Sequence, residues 1–383
     1  MNDPLLDGIL SLKFEVLELR SHVNKMESLY GKSTLTEVFT SKINDTLEDI
    51  EYLERVYQVT TRSSISTQSQ YKTLEETLTI IKYRRHILAI FLEALNQHLT
   101  VVNQVGEKET IKIIDNIVNE LTSLVSSHLS NQYKVRLLYS SEYKMTYLLA
   151  DKGIFLVAMP IYDFKLPWYW TLITHEMGHA FYFLKGKEIA KRIRPFLVKY
   201  LAEKAPESVK RQGIVSYYIE AWMDSWLSEF ISDLFGCSLM GASFTVPFIS
   251  YLQRSNVLSV EDTHPPLEAR VVVQLRYMEE VSRDMYDICK EYWDALSNVK
   301  ESGGELRYPF DYEILECVVK VFRELIPHPP IAKISDKILE VKNVLDSGIV
   351  KCNDPLVTIC GLAISERKLE LKDEVLKAIV EAL

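Results

Sequence analysis

His175-Glu176-Met177-Gly178-His179 is the part of this chain whose residue types and spacing can do chemistry. Two histidines four apart lie on one face of a helix, so both imidazoles can reach one cation. A glutamate directly after the first histidine stands beside them, placed to act as general base toward a water activated by the metal. With 8 histidines in 383 residues, the pattern is rare by chance. The competing reading is a core helix that happens to carry two satisfied histidines.

A catalytic zinc takes three protein ligands and leaves a position for water, so a third ligand must come from elsewhere. The segment Ser216–Leu239 reads as one helix and offers two Glu-x-x-x-Asp pairs, Glu220…Asp224 and Glu229…Asp233. In a regular helix nine residues turn through about 900°, which puts Glu220 and Glu229 on opposite sides. Glu229 and Asp233 share a face with Trp222, Trp226, Gly236 and Cys237. A carboxylate pair on so apolar a face needs compensation, and a metal would supply it. Glu229 is therefore preferred to Glu220. Asp233, one turn on, is either a hydrogen-bond acceptor for a liganding histidine or a surface acid.

The elements that must hold these residues follow from periodicity and caps. Helices are predicted from Pro4 to Tyr30, Thr34 to about Tyr57, Thr73 to about Leu99 and Lys108 to Leu129, suggesting a four-helix antiparallel bundle. Thr60–Gln70 reads as a loop, and Gly31 as a helix stop. Val135–Tyr139, Met145–Leu149 and Ile154–Met159 read as strands of a small antiparallel sheet, with a turn at Asp151-Lys152-Gly153. Leu166-Pro167 opens the HExxH helix, and Gly186 is predicted to end it near Leu184. A separate helix follows over Ile189–Glu203, with Pro195 as kink or restart, then a loop over Ala205–Gly213. After the helix Ser216–Leu239, Gly241–Val246 breaks the pattern, Pro247–Arg254 is a short helix, and one long amphipathic helix covers Leu267–Val299. Ser302-Gly303-Gly304 is a break, and three to four shorter helices close the chain. The division that results is a helical bundle over 1–130, a catalytic domain over 131–300 and a C-terminal helical region over 301–383. The fold class is mainly α with a small antiparallel β-sheet.

Composition narrows the function. Apolar residues make up 47% and charged residues 25%, as in an ordinary globular chain. The net charge of −9 with interspersed signs speaks against a nucleic-acid partner. No apolar run is long enough to span a bilayer, and Met1-Asn2-Asp3-Pro4 does not open a secretion signal, so a cytoplasmic location is expected. Five cysteines without a CxxC read as buried free thiols. Tyr217 and Tyr218 are candidates to stabilise an oxyanion, or core tyrosines; His22, His86, His98, His128 and His328 read as ordinary surface or core histidines. Trp168-Tyr169-Trp170 reads as core or pocket wall.

His175-Glu176-x-Gly178-His179, then Glu229-Phe230-Ile231-Ser232-Asp233, then Thr263-His264-Pro265-Pro266 with Arg270 resembles the gluzincin zinc metallopeptidases, in particular the group with the CAAX prenyl protease and the membrane heat-shock proteases. The similarity covers about Ile154 to Arg270, and those relatives are membrane-embedded while this chain carries no spanning segment. The resemblance implies a zincin-like core flanked by helical regions, with His175, His179 and Glu229 as ligands of Zn2+. Glu176 would be the general base, with Asp233 behind a ligand and His264 or Arg270 shaping the site. It also implies that Ile154–Met159 is the edge strand on which an extended peptide lies. By their own spacing, His264 is equally a helix-start histidine, while Arg270 reads as a solvated helix arginine sooner than as a partner of a site carboxylate. The expected activity is hydrolysis of a peptide or protein substrate. The alternative is a helical interaction scaffold with an inactive or merely structural metal site.

Overall fold

The computed structural model describes residues 3–30, 34–62, 68–103, 108–129, 134–140, 143–146, 150, 153–160, 163, 165–204, 215–254, 264–297 and 312–383. Gly31, the middle of Thr60–Gln70 (63–67), the end of Met145–Leu149, Asp151-Lys152, Ala205–Gly213, Thr263 and Ser302-Gly303-Gly304 lie outside them. The chain is mainly helical and divides into two compact units. The first is Met1–Lys108 with Leu138–Ser140 and Leu148–Lys152; the second is Glu109–Leu137, Ser141–Tyr147 and Gly153–Leu383.

The first unit is built on α1 (Pro4–Tyr30), α2 (Thr34–Arg62) and α3 (Gln68–Asn103), which pack pairwise. The α1 stripe Ile9, Leu12, Val16 and Val23 is buried at helical spacing. Asp3 caps α1 by accepting the Leu5 N–H at 2.9 Å, and its other oxygen takes the Tyr57 hydroxyl at 2.5 Å. α2 and α3 run several residues beyond their expected ends at Tyr57 and Thr73. α4 (Lys108–Leu129), expected to be the fourth helix of this bundle, falls almost wholly in the second unit.

β1 (Lys134–Ser140), β2 (Lys144–Thr146) and β3 (Ile154–Pro160) form a sheet in the order β1-β3-β2. β2 pairs antiparallel with β3, Lys144 opposite Ala158 and Thr146 opposite Leu156, while the sheet as a whole is mixed rather than antiparallel. Residue alternation reports which faces are buried, not the direction of the neighbouring strand. β3 is central, not an edge. Its continuous apolar run, buried from Phe155 to Pro160, is what a strand covered on both faces requires. β2 is the edge.

A 3-10 turn, Pro167–Leu172, leads into α5 (Ile173–Lys204). Neither Gly186 nor Pro195 ends this helix. Ile189, Ile193, Leu197 and Leu201 continue its buried stripe, and that packing outweighs a cost of about 1 kcal/mol for an interior glycine. Gly186 has a packing role instead. The Tyr182 ring lies over it, 3.1 Å from where a Cβ would stand, and the Tyr182 hydroxyl reaches the Met223 carbonyl at 3.5 Å.

The segment expected as one regular helix is three pieces: α6 (Val215–Ala221), a π turn (Trp222–Trp226) and α7 (Leu227–Met240). Gly241, at φ +56, turns the chain straight into α8 (Ala242–Arg254), so no break extends to Val246. A side chain there would be strained and would press on Ile331. The long helix after Leu267 is two, α9 (Leu267–Val281) and α10 (Arg283–Ser297), separated by extended Ser282. A break of one residue leaves the amphipathic pattern nearly in phase, so periodicity does not reveal it. α11 (Tyr312–Leu325), α12 (Ile331–Asp346), α13 (Pro355–Ile364) and α14 (Lys368–Ala382) complete the unit. α13 is buried from Leu356 to Ile364, and the Cys360 carbonyl accepts the Ser243 hydroxyl of α8 at 2.9 Å. The C-terminal helices thus share a core with the HExxH helix; the expected boundary at 300 does not separate them.

Candidate metal centre

α5 and α7 pack more extensively than any other pair of elements recorded for the molecule. Gly178 makes this possible: a Cβ on it would stand 2.5 Å from Ser232 Cα and 2.8 Å from the Ser232 carbonyl oxygen. With backbone against backbone, the side chains flanking each contact point interleave. His175 and His179 bracket Gly178, Glu229 and Asp233 bracket Ser232, and the two sets face each other.

The π turn sets the rotation of α7. It widens the helix by about one residue, so Glu220 and Glu229 are separated by nearer a right angle than the half-turn of a regular helix. Its freed carbonyls are taken by side chains: Ser228 donates to Ser225 at 2.7 Å and Tyr182 to Met223. Trp222, Trp226 and Phe230 stack around it, with centroids 5.5 and 5.1 Å from Trp222. Glu229 ends up buried and Glu220 exposed.

His175, His179 and Glu229 bring their ligand atoms within 4.8 Å of one another. His175 Nε2 lies 3.4 Å from Glu229 Oε2, and His179 Nε2 lies 3.5 Å from Glu229 Oε1. Donors held tetrahedrally around zinc are roughly 3.3 Å apart, so these separations fit one small cation. The rings of His175 and His179 meet edge to face, 4.8 Å between centroids. Two imidazoles and a carboxylate form a donor set suited to zinc.

Asp233 sits behind His175, its Oδ1 3.0 Å from Nδ1 though off the ring's N–H axis, leaving Nε2 for the metal position. Arg270, from the first turn of α9, clamps both acids. Its Nε and one terminal nitrogen donate to the two Asp233 oxygens at 2.8 Å each, and that terminal nitrogen is 3.1 Å from Glu229 Oε2. It is buried, not a solvated helix arginine, and lies over the Phe248 ring at 4.6 Å. His264 Nε2 is 3.9 Å from Glu229 Oε1 with its side chain 44% exposed at the cleft rim. Glu176 is 7% exposed and lines the same cleft.

The electrostatics favour a cation. Burial pulls the His175 pKa down, but Asp233 and Glu229 outweigh it and push it up to about 10. Burial pushes His179 down to about 4, helped by the charge on His175, so its ring is neutral at neutral pH. Burial pushes Glu229 up, yet Arg270 and the two histidines hold its carboxyl well below the usual carboxylate range. The site thus keeps an ionised acid and draws positive charge to His175.

The cleft encloses about 660 Å³, a common size for a ligand site. The metal-facing residues form part of its lining. Lys144 and Met145 of edge strand β2, with Tyr143, Leu172, Tyr251 and Leu252, line the rest. Tyr217 and Tyr218 are not among its walls, and Tyr217 is 45% exposed on α6. His22, His86 and His328 are exposed and are not members of the cluster. Sequence reasoning missed Phe248, Tyr143 and Tyr251. An aromatic residue carries no local mark that separates a pocket wall from the core. No family model, no curated protein and no solved structure matches this chain.

Proposed function

We propose that this chain is a zinc-dependent peptide hydrolase of the gluzincin kind. The convergence of His175, His179 and Glu229 on one point, beside Glu176 and inside a cleft, carries the reading. In this reading those three residues hold the ion, which would polarise a water and the scissile carbonyl. Glu176 takes the proton of the attacking water and delivers it to the leaving amine. Its burial at the cleft wall suits it to both transfers. Asp233 orients His175, and Arg270 balances the charge of Asp233 and Glu229 so that both stay ionised. His264, at the rim, is placed to donate an N–H toward the developing oxyanion. β2, an outer strand of the sheet, lines the cleft, and an extended peptide would lie alongside it. Among the described residues no helix is long and apolar enough to cross a membrane, so nothing in this reading requires a membrane-embedded substrate.

Glu176→Gln is the test. The variant should hold zinc at the wild-type stoichiometry and lose at least a hundredfold in peptide hydrolysis. Undiminished hydrolysis would exclude Glu176 as the base. A wild-type protein that holds zinc but cleaves nothing in a peptide library would favour a scaffold with a structural metal.

A further inference from the structure

Gly178 fixes how closely α5 and α7 approach, but closeness alone does not decide which residue of α7 faces the histidines. A second contact lies further along the same face of α5. His175, Gly178, His179, Tyr182 and Gly186 fall within about 100° of one another around the helix. This stripe meets the π turn and α7 in the antiparallel sense. Gly178 lies on Ser232, and the Tyr182 hydroxyl reaches the Met223 carbonyl at 3.5 Å. Glu229 stands in the chain between these two points.

Met223 is where the π turn is short of a hydrogen bond. In a regular helix its carbonyl would accept the Leu227 N–H. Here that N–H goes to the Trp222 carbonyl instead. The Tyr182 hydroxyl stands in for the missing donor. Gly186 seats the ring for this, since a Cβ on it would stand 3.1 Å from two of the ring carbons. Burial, with the carboxylate of Asp224 in the π turn, pushes the phenol pKa up, so the hydroxyl keeps the proton it donates.

We propose that Tyr182 is a positioning residue for the third ligand: its hydroxyl stabilises the π turn, and the π turn holds Glu229 toward His175 and His179. The inference rests on the metal-centre reading above and adds the residue that sets its geometry. Without the hydroxyl, the Met223 carbonyl regains a donor by drawing back the Leu227 N–H. That converts the π turn into ordinary helix, shifts the bonding of α7 by one residue and rotates Glu229 by about 100°. The HExxH helix thus carries two ligands and also the group that aims the third.

The experiment uses the full chain, loaded with zinc or with cobalt(II), and Tyr182→Phe, which keeps the ring over Gly186 and removes only the hydroxyl. Zinc affinity, read by competition with a chelator, should fall about tenfold or more, the scale of losing a group that orients a ligand. The visible absorption bands of the cobalt(II) protein should shift, because they report how the ligands are arranged. Made in the Glu229→Gln background, the same substitution should cost less than about threefold further, since its effect passes through that carboxylate. An equal loss in both backgrounds would mean that Tyr182 supports the fold at large and would overturn the proposal. So would an unchanged affinity and cobalt spectrum in Tyr182→Phe. Both of these leave the metal centre standing, whereas failure of the wild-type chain to bind either metal overturns both readings.

Discussion

Gly178 and Ser232 touch backbone to backbone, and that one contact seats the HExxH helix against the helix that carries Glu229. The opposing atoms are main chain, so they cannot swing aside. Gly178→Ala should push α5 and α7 apart. Overpacking of this kind costs about 1–3 kcal/mol, and the separation should also loosen the ligand cluster. A lowered melting temperature together with zinc loading below the wild-type level is the expected result. A variant equal to wild type in both would show that the contact does not position the site.

Glu229→Gln and Glu220→Gln separate the two acids that the sequence offers as third ligand. Glu229 is buried among His175, His179 and Arg270, whereas Glu220 is exposed. The first substitution should lower zinc affinity by at least tenfold and the second should leave it unchanged. Metal titration against a competing chelator reads both. The reverse order would place the metal elsewhere.

Arg270→Met removes the guanidinium paired with both Asp233 and Glu229 and leaves both acids buried. Breaking a buried charge pair from one side costs about 3–5 kcal/mol. The variant should be markedly less stable in denaturant, and saturating zinc should recover part of the loss, because the ion compensates Glu229. Destabilisation that zinc does not relieve at all would argue against the shared role of Glu229.

Cys237, Cys289 and Cys360 are buried, and burial pushes all three thiols up from an ordinary value of 9.0. The unfolded chain therefore releases these protons at lower pH than the folded one. Their contribution to stability is fully present below pH 9 and is lost as the pH rises beyond it. Each thiol adds a slope of about 1.4 kcal/mol per pH unit above that point. Urea unfolding between pH 8 and pH 10.5 measures this. Replacing all three with alanine should flatten the slope even if it lowers stability throughout, and an unchanged slope would refute the assignment.

Much of the helical content was legible in the sequence because stripes and caps are local. The strings from Ile9 to Val23 and from Lys108 to Leu129 show it. The failures have a common cause. Gly186 reads as a helix stop until Tyr182 is seen lying over it, and Pro195 as a restart until Leu197 and Leu201 are seen buried on the same stripe. The central place of β3 and the mixed direction of the sheet depend on which strand lies beside which. Arg270 looks like any helix arginine until its two carboxylates arrive from a helix 37 residues away.

What the sequence determined by itself is that His175 and His179 share one helix face with Glu176 beside them, because helical geometry acts over four residues and needs no other part of the chain. Which distant acid meets that face was decided only by tertiary structure. The answer depends on the rotation of α7, set by a π turn that periodicity does not reveal, and on the depth of its approach, set by a glycine whose use appears only when a second backbone lies against it.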